Sequence, residues 1–303
     1  MASPYIPRGV IPANVLPFTP DLQIDEVAYR RHLRELATVQ GVTAITANGH
    51  AAEIHALTAD EQRYALEIAV EEVGHRVPII AGIYADDSLL GGRLARQAQI
   101  AGAHALLIFP PQPFMMGAQL RPEMVLTHYA TIAAATDLPL IAFNYPLASG
   151  QGYTTETLVR LAEAVPTVVA MKDWCNDVVQ HEKNIRTMHS LDRPFAVLST
   201  HSAWLLSSLI LGCDGLLSGM GSVVVDWQVA LWNAVQNGDL ATARQFNNLL
   251  WPLTQVFYAP PAVDMHNRMK EALVLLGRLP RAVVRPPLVK ITTAEVARLR
   301  QAL

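Results

Sequence analysis

The chain contains very little lysine for its length. Of its 303 residues, 23 are lysine or arginine, and the only lysines are Lys172, Lys183, Lys270 and Lys290. Lysine is normally among the commonest residues, so arginine carries nearly all of the positive charge. Arginine keeps its proton and cannot form an imine, whereas lysine can lose its proton and form one. Each remaining lysine is therefore a candidate for chemistry that arginine cannot perform.

Other scarcities exclude whole classes of protein. Two cysteines, Cys175 and Cys213, are too few for a disulfide framework or a four-ligand zinc site. A net charge of −3 gives no general attraction to nucleic acid or to an anionic membrane. No apolar run reaches a bilayer-spanning length, and the N-terminus lacks the pattern of a secretory signal. We expect a globular cytoplasmic protein without nucleic-acid or membrane partners.

Apolar runs with the character of buried strands alternate with amphipathic helical patterns, such as the one at Thr58–Val73, where Thr58 and Glu61 form a predicted capping box. Near-continuous apolar strands covered by helices are typical of a parallel sheet buried on both faces. Eight such units predict an α/β fold, the (β/α)₈ or TIM barrel. The predicted strands are Gly9–Thr19, Gly41–Gly49, Val77–Tyr84, His104–Pro111, Leu138–Pro146, Thr167–Trp174, Phe195–His201 and Cys213–Val223.

The pattern changes to helices alone after about Val225. We therefore predict a barrel over residues 1–225 that carries the active site, followed by a C-terminal helical extension over residues 226–303. The predicted helices of the extension are Gln228–Val235, Leu240–Phe257, Ala262–Leu276 and Thr293–Ala302.

Lys172 differs from the other three lysines, which lie in polar or terminal stretches. It ends the predicted sixth strand, directly after the apolar run Val168–Met171. In a barrel, the strand ends that face the βα loops form the active site. Burial at such a position lowers the pKa of an amine and makes a neutral nucleophile available to attack a carbonyl. The alternative is a lysine that merely pairs with Asp173 at the rim.

Four motifs in order carry a resemblance to a known family. They are Gly49-His50-Ala51-Ala52-Glu53, Phe143-Asn144-Tyr145-Pro146, Met171-Lys172-Asp173 and the glycine-rich stretch Gly212–Ser222. With this spacing the chain resembles the dihydrodipicolinate synthase / N-acetylneuraminate lyase family from about Gly9 to Leu276. The resemblance implies a Schiff-base mechanism on a 2-oxo acid, usually pyruvate, with no metal and no organic cofactor. It also implies a homotetramer.

The resemblance assigns roles to several residues. It implies that Lys172 is the covalent nucleophile, that backbone N–H groups of the turn at Gly49 receive the substrate carboxylate, and that Glu53 fixes this turn. The implied substrate-binding residues are Gly49, Ala51, Phe143, Asn144, Ser218 and Gly219.

The acid–base residues depart from the family pattern. Phe143 stands where the family usually carries a proton-shuttling tyrosine, and Ala148 stands where the synthases carry an arginine. Both departures disfavour dihydrodipicolinate synthase activity. Tyr145 lies two residues beyond Phe143 and so on the same face of the strand, and His50 titrates near neutrality. These two side chains are candidate replacements for the relay, although each has an alternative role as a mere hydrogen-bonding group.

Two classes of function remain open at this stage. The first is a Schiff-base lyase, which either releases pyruvate by retro-aldol cleavage or dehydrates a 2-oxo-3-deoxy sugar acid. The second is a catalytically impaired member of the family that binds a small oxo acid as a sensor or scaffold. No carboxylate–histidine cluster is evident at the strand ends, and the remaining histidines are predicted to be solvated: His32, His75, His128, His181 and His189.

Overall fold

The computed structural model describes residues 5–303. Eight parallel strands lie in the order β1-β8-β7-β6-β5-β4-β3-β2, and bridges from Val10 to Val42 and from Ala13 to Thr46 connect the two ends of the sheet. The strands are β1 (Gly9–Pro12), β2 (Ile45–Ala47), β3 (Ile79–Ile83), β4 (Ala105–Ile108), β5 (Leu140–Asn144), β6 (Val168–Asp173), β7 (Ala196–Ser199) and β8 (Gly215–Ser218). The predicted (β/α)₈ barrel is confirmed.

Every residue of the eight strands is buried, which explains their near-continuous apolar sequences. Each observed strand lies within its predicted range but is shorter. The apolar runs extend into loops that are also buried: every residue from Ala13 to Phe18, for example, is buried although β1 ends at Pro12. Hydrophobicity therefore located the strands, whereas strand ends depend on hydrogen bonding that hydrophobicity does not report.

Helices cover the outside of the barrel. Thr58 and Glu61 form the predicted capping box at the start of α2. None of the helices in the described part of the chain is both long enough and apolar enough to cross a bilayer. The helices are α1 (Glu26–Thr38), α2 (Ala59–Val73), α3 (Ser88–Ile100), α4 (Pro122–Ala133), α5 (Thr155–Ala164), α6 (Val178–His189), α7 (Leu205–Ile210), α8 (Gly221–Gln236), α9 (Leu240–Phe257), α10 (Met265–Leu275) and α11 (Thr293–Ala302).

The start of α8 corrects one sequence expectation. This helix begins at Gly221, not Gln228, and it contains a kink at Val224. The apolar residues Val223 to Val225 are buried and resemble strand residues in sequence, which is why the eighth strand was predicted too long. The predicted division of the chain after residue 225 thus falls inside α8, and the two-part organisation stays a prediction.

Candidate active site

Lys172 lies near the carboxyl end of β6, with Phe143 of β5 and Leu198 of β7 as its neighbours in register. The residue is only 4% exposed, and its amine makes no hydrogen bond or ion pair with the described residues. The Nζ atom lies 4.0 Å from the centroid of the Phe143 ring. Burial lowers the pKa of this amine to about 7. A substantial fraction of Lys172 is therefore neutral and nucleophilic at neutral pH.

The alternative pairing of Lys172 with Asp173 is wrong. Successive side chains of a strand point to opposite faces, and the carboxylate of Asp173 bonds elsewhere. It accepts hydrogen bonds from the side chains of Asn144 (3.1 Å) and Asn184 (3.0 Å) and lies 2.8 Å from Nδ1 of His181. Burial alone would raise the pKa of Asp173, but these hydrogen bonds, that of His181 above all, hold it at about 2. Lys172 is thus left without a counter-ion.

The Lys172 amine faces a small cavity of about 40 Å³ at the carboxyl ends of the strands. This space holds only a few water-sized groups, which matches the reacting end of a small oxo acid. Its lining combines strand ends with residues of the C-terminal helical region. The lining residues are Ala13, His50, Ala51, Phe143, Lys172, Trp174, Thr200, Gly219, Tyr258, Met265 and Met269.

His50 enters this cavity from the turn that follows β2. One turn of 3₁₀ helix covers His50–Ala52 and ends at Glu53, which has a left-handed backbone. The Nε2 atom of His50 lies 2.7 Å from the hydroxyl of Tyr145, while Nδ1 has no hydrogen-bond partner among the described residues. Burial, and secondly the charge of Lys172, lower the pKa of His50 well below its ordinary value. The free imidazole is therefore neutral, with Nδ1 available to a substrate.

Tyr145 lies behind His50 and is not part of the cavity lining. It follows the last residue of β5 and is 9% exposed. Its ring packs against Phe143 (centroids 4.6 Å apart) and Trp174 (5.4 Å apart). Burial raises the pKa of the Tyr145 phenol well above its ordinary value, so the hydroxyl stays protonated. The structure places the two candidate relay residues in one hydrogen-bonded pair, with the histidine nearer to the cavity.

A buried ion pair anchors the turn that carries His50. Glu53 is fully buried and accepts hydrogen bonds from Nζ of Lys270 (2.5 Å) and from the backbone N–H of Arg285 (3.0 Å). Lys270 is also fully buried, although it lies in a polar stretch of the sequence. Burial lowers the pKa of Lys270 to about 8, while the charge of Glu53 opposes this shift. The predicted role of Glu53 as a residue that fixes the turn agrees with these contacts.

The implied substrate-binding residues occupy different settings. Ala51 and Gly219 line the cavity together with Phe143, and Gly49 is the buried residue that precedes the turn. The Asn144 amide bonds Asp173 and the N–H of Tyr153, and the hydroxyl of Ser218 bonds that of Ser202. Neither Asn144 nor Ser218 lines the cavity, and their contact with substrate stays a prediction.

One wall of the cavity could not be predicted from the sequence. Tyr258, Met265 and Met269 come from the chain around α10. No strand-end rule points to residues from helices that follow the barrel, and methionine is an ordinary core residue. Helical periodicity predicts that Met269 is buried but not that it lines the cavity. Thr200, just beyond β7, also lines the cavity and was not singled out.

Three histidines predicted to be solvated are buried instead: His32 and His181 are 0% exposed and His128 is 3% exposed. His181 matters most, because it contacts Asp173 at the end of β6. His201 lies close by, so the expectation that no carboxylate–histidine cluster occurs at the strand ends is also wrong. Helical positions with polar neighbours had suggested exposure. Both nitrogens of His181 have partners that are distant in sequence, whereas the buried nitrogens of His32 have no hydrogen-bond partner among the described residues.

The chain matches the model of the dihydrodipicolinate synthetase family over residues 6–303. The chain belongs to this family. It is 27% identical to YagE of Escherichia coli K12, named as a candidate 2-dehydro-3-deoxy-D-gluconate aldolase, over 97% of this chain and 95% of that protein. It is 33% identical to a 4-hydroxy-tetrahydrodipicolinate synthase of Salinibacter ruber over 83% and 81% of the two chains.

A solved structure supports the same assignment. The crystal structure of Escherichia coli YagE in complex with pyruvate has a TM-score of 0.90 and 26% identity, and the alignment covers 97% of this chain and 96% of that one. Since the relatives are named as aldolases and synthases of this family, the protein is an enzyme of the class I aldolase type.

The contact between Glu53 and Lys270 leads to a stability prediction. Glu53→Gln removes the counter-charge of a fully buried ammonium, so the free energy of unfolding at pH 7 should fall by about 3 kcal/mol. Urea denaturation measures this change. The control is Glu156→Gln, which breaks an exposed ion pair with Lys183 and should cost less than about 1 kcal/mol. Equal losses in the two variants would contradict an anchoring role for Glu53.

Proposed function

We propose that the protein is a Schiff-base lyase that cleaves a 4-hydroxy-2-oxo acid into pyruvate and an aldehyde. The observation that carries this proposal is the Lys172 amine, buried without a counter-ion at the wall of a cavity. A free amine of depressed basicity is the form that attacks a ketone. Membership of the family supports the covalent use of this lysine.

The first step joins enzyme and substrate. The neutral amine of Lys172 attacks the C2 ketone, and after uptake of one proton a water molecule leaves, so that Nζ becomes part of a positively charged iminium. Phe143 lies directly beneath this nitrogen, and its ring face stabilises the charge by a cation–π interaction. Backbone N–H groups of His50 and Ala51, which have no acceptor among the described residues, are proposed to bind the substrate carboxylate.

The second step breaks the carbon–carbon bond. The free Nδ1 of His50 takes the proton of the C4 hydroxyl, the C3–C4 bond breaks, and its electron pair forms the C2=C3 bond of a neutral enamine while the aldehyde leaves. The imidazolium then returns its proton to C3, which regenerates the iminium. Water hydrolyses this iminium and releases pyruvate and the amine. Atoms and charge balance over the cycle.

The electrostatics of the cavity favour this proton transfer. The charge of Lys172 is one of the causes that lower the pKa of His50, and the same repulsion applies to the iminium. That positive charge disappears when the enamine forms, so His50 becomes a stronger base as the bond breaks. Nε2–H of the imidazolium can donate to the Tyr145 hydroxyl, 2.7 Å away. The cavity thus holds a single positive charge, which moves from the iminium at Nζ of Lys172 to the imidazole of His50 and back.

The alternatives differ in their products. A dehydratase would use the same iminium but would lose the C4 hydroxyl as water and keep the carbon chain intact. A sensor or scaffold would bind the oxo acid without turnover. Synthase activity remains disfavoured, because no arginine lines the cavity and Ala148 occupies the position of the synthase arginine. The homotetramer and the cytoplasmic location remain proposals that rest on the family and on composition.

Release of pyruvate tests the function. The wild type and the control Lys183→Ala, which changes an exposed lysine, should release pyruvate from a panel of 4-hydroxy-2-oxo acids at similar rates. Lys172→Ala should lose at least about 10⁴-fold of kcat, because covalent catalysis is abolished. Formation of a dehydrated acid without pyruvate would identify the dehydratase. No turnover of any substrate by the wild type would favour the sensor.

The role of His50 can be measured by single-turnover kinetics. His50→Ala should slow the carbon–carbon cleavage step by about 10²- to 10⁴-fold, the usual contribution of a general base. His55→Ala is the matched control, since His55 is an exposed histidine two residues beyond the same turn. A loss below about tenfold for His50→Ala would remove it from the relay.

Tyr145→Phe should lower the rate of the cleavage step about tenfold through loss of one hydrogen bond. The control is Tyr84→Phe, which changes a half-buried tyrosine outside the cavity lining.

The cavity lining also predicts which aldehyde is preferred. Part of the lining is apolar and comes from Phe143, Trp174, Met265 and Met269. Each hydroxyl group of a substrate tail that packs against this surface would lose its hydrogen-bond partners, at a cost of about 1–3 kcal/mol. We therefore expect kcat/KM for 4-hydroxy-2-oxo-4-phenylbutanoate to exceed that for 2-dehydro-3-deoxy-D-gluconate by at least about tenfold. The reverse order would show that polar groups of the tail are recognised.

A further inference from the structure

We propose that Asp173, Cys175, His181 and His201 form a zinc-binding site directly behind the catalytic lysine. The four residues come from the end of β6, the loop that follows it, α6 and the segment just beyond β7. This site is separate from the reaction cavity, which none of the four residues lines. The proposal is independent of the reaction that Lys172 performs.

The geometry of the cluster fits a small tetrahedral ion. Each residue offers one ligand atom, all four atoms lie within 4.8 Å of one another, and all four residues are buried. Zinc bonds of about 2.0–2.3 Å place tetrahedral ligands about 3.3–3.6 Å apart. The thiol of Cys175 is already 3.6 Å from Nε2 of His201. Closure by about 1 Å at the most distant pair would complete the coordination shell.

The first pair of ligands is oriented by partners on the side away from the ion. The Nδ1 atom of His181 faces Asp173, and its Nε2 lies 2.8 Å from the hydroxyl of Ser208. The Oδ1 atom of Asp173 accepts hydrogen bonds from the amide of Asn144 (3.1 Å) and from the N–H of Cys175 (3.0 Å). The Oδ2 atom accepts one from Asn184 (3.0 Å) and faces His181, so it keeps a lone pair for an ion that replaces the His181 contact. Such outer partners are a regular feature of built metal sites.

His201 has the same arrangement with its nitrogens reversed. Its Nε2 faces the thiol of Cys175 and accepts a hydrogen bond from the N–H of Asn176 (3.2 Å), while Nδ1 lies 3.5 Å from the hydroxyl of Ser199. Because Nε2 accepts, it carries the lone pair that a metal requires, and a bound ion would take this lone pair in place of the Asn176 N–H. The ring of Trp204 packs against the imidazole with centroids 4.1 Å apart and fixes its orientation.

The charges of the ligand set also suit zinc. One thiolate and one carboxylate offset the charge of a divalent ion, and the two imidazoles are neutral ligands, so the filled site carries no net charge beside Lys172. Binding replaces the thiol proton and the Nδ1–H···O contact between His181 and Asp173 by metal bonds, and the displaced protons pass to water or to Nε2 of His181. A mixed set of this kind needs only one cysteine, so the low number of cysteines does not exclude a zinc site.

The cluster has an opening to the surface. Cys175 lines a surface groove with Asn176, Asp177 and Gln180, which gives a metal a route to the thiol. Metal binding would tie the loop at Cys175 to the ends of β6 and β7 and so stabilise the folded chain.

Zinc titration of the chelator-treated full chain tests the site. We expect one zinc per chain by elemental analysis and a rise in Tm of about 5 °C at a zinc concentration a hundredfold above Kd. Cobalt in place of zinc should give a thiolate-to-metal charge-transfer band. Cys175→Ser should abolish this band and weaken zinc binding by at least about tenfold, and His201→Gln should weaken it similarly. Cys213→Ser, which changes the other buried cysteine, should behave as the wild type.

The result that overturns the site is equally direct. Wild type that binds no stoichiometric zinc, or that binds cobalt without a thiolate band, contradicts it, and neither measurement depends on any variant folding. Equal zinc affinity of Cys175→Ser and wild type would also contradict it. Because metal content, Tm and spectrum are recorded without substrate, failure here leaves the proposed lyase reaction untouched, and loss of lyase activity leaves the site untouched.

Discussion

A buried amine without a counter-ion is the constraint on which the account of this protein depends. Two lysines are buried in the described part of the chain, and they differ in whether a carboxylate pairs with them. Lys270 is paired with Glu53, and the pair serves as a structural anchor. Lys172 has only the face of Phe143 beneath its nitrogen, while the adjacent carboxylate of Asp173 is held on the other side of the strand by other partners. Burial of an uncompensated ammonium costs free energy, and this cost disappears when the amine loses its proton.

The rest of the site follows from this arrangement. His50 supplies a neutral imidazole beside the amine, and its position depends on a turn that Glu53, Lys270 and the N–H of Arg285 hold from behind. The same C-terminal region closes the cavity with Met265 and Met269. The helices after the barrel therefore act on the chemistry in two ways, through the anchored turn and through the apolar wall. The thioether surface of that wall is the basis for the proposed preference for an apolar tail.

Much of the fold and the burial of Lys172 could be predicted from the sequence, because both rest on local patterns. Eight apolar runs located the strands, and Lys172 was conspicuous as a charged residue in a buried run. The residues that could not be predicted depend on contacts between distant segments. His181 looked solvated on its helix, yet it is buried against Asp173 and Ser208. Lys270 looked polar, yet it crosses the structure to Glu53. Periodicity reports which face of an element is buried, but not which partner it meets there.

Borohydride reduction in the presence of pyruvate, followed by peptide mass mapping, tests the central claim most directly. The buried, unpaired state of Lys172 predicts one reduced pyruvyl adduct per chain, located on the peptide that contains Lys172 and absent from Lys172→Ala. Lys270 provides an internal comparison, since it is equally buried but paired, and it should stay unmodified. No adduct on the wild type, or an adduct that persists in Lys172→Ala, would contradict the assignment of Lys172 as the Schiff-base nucleophile.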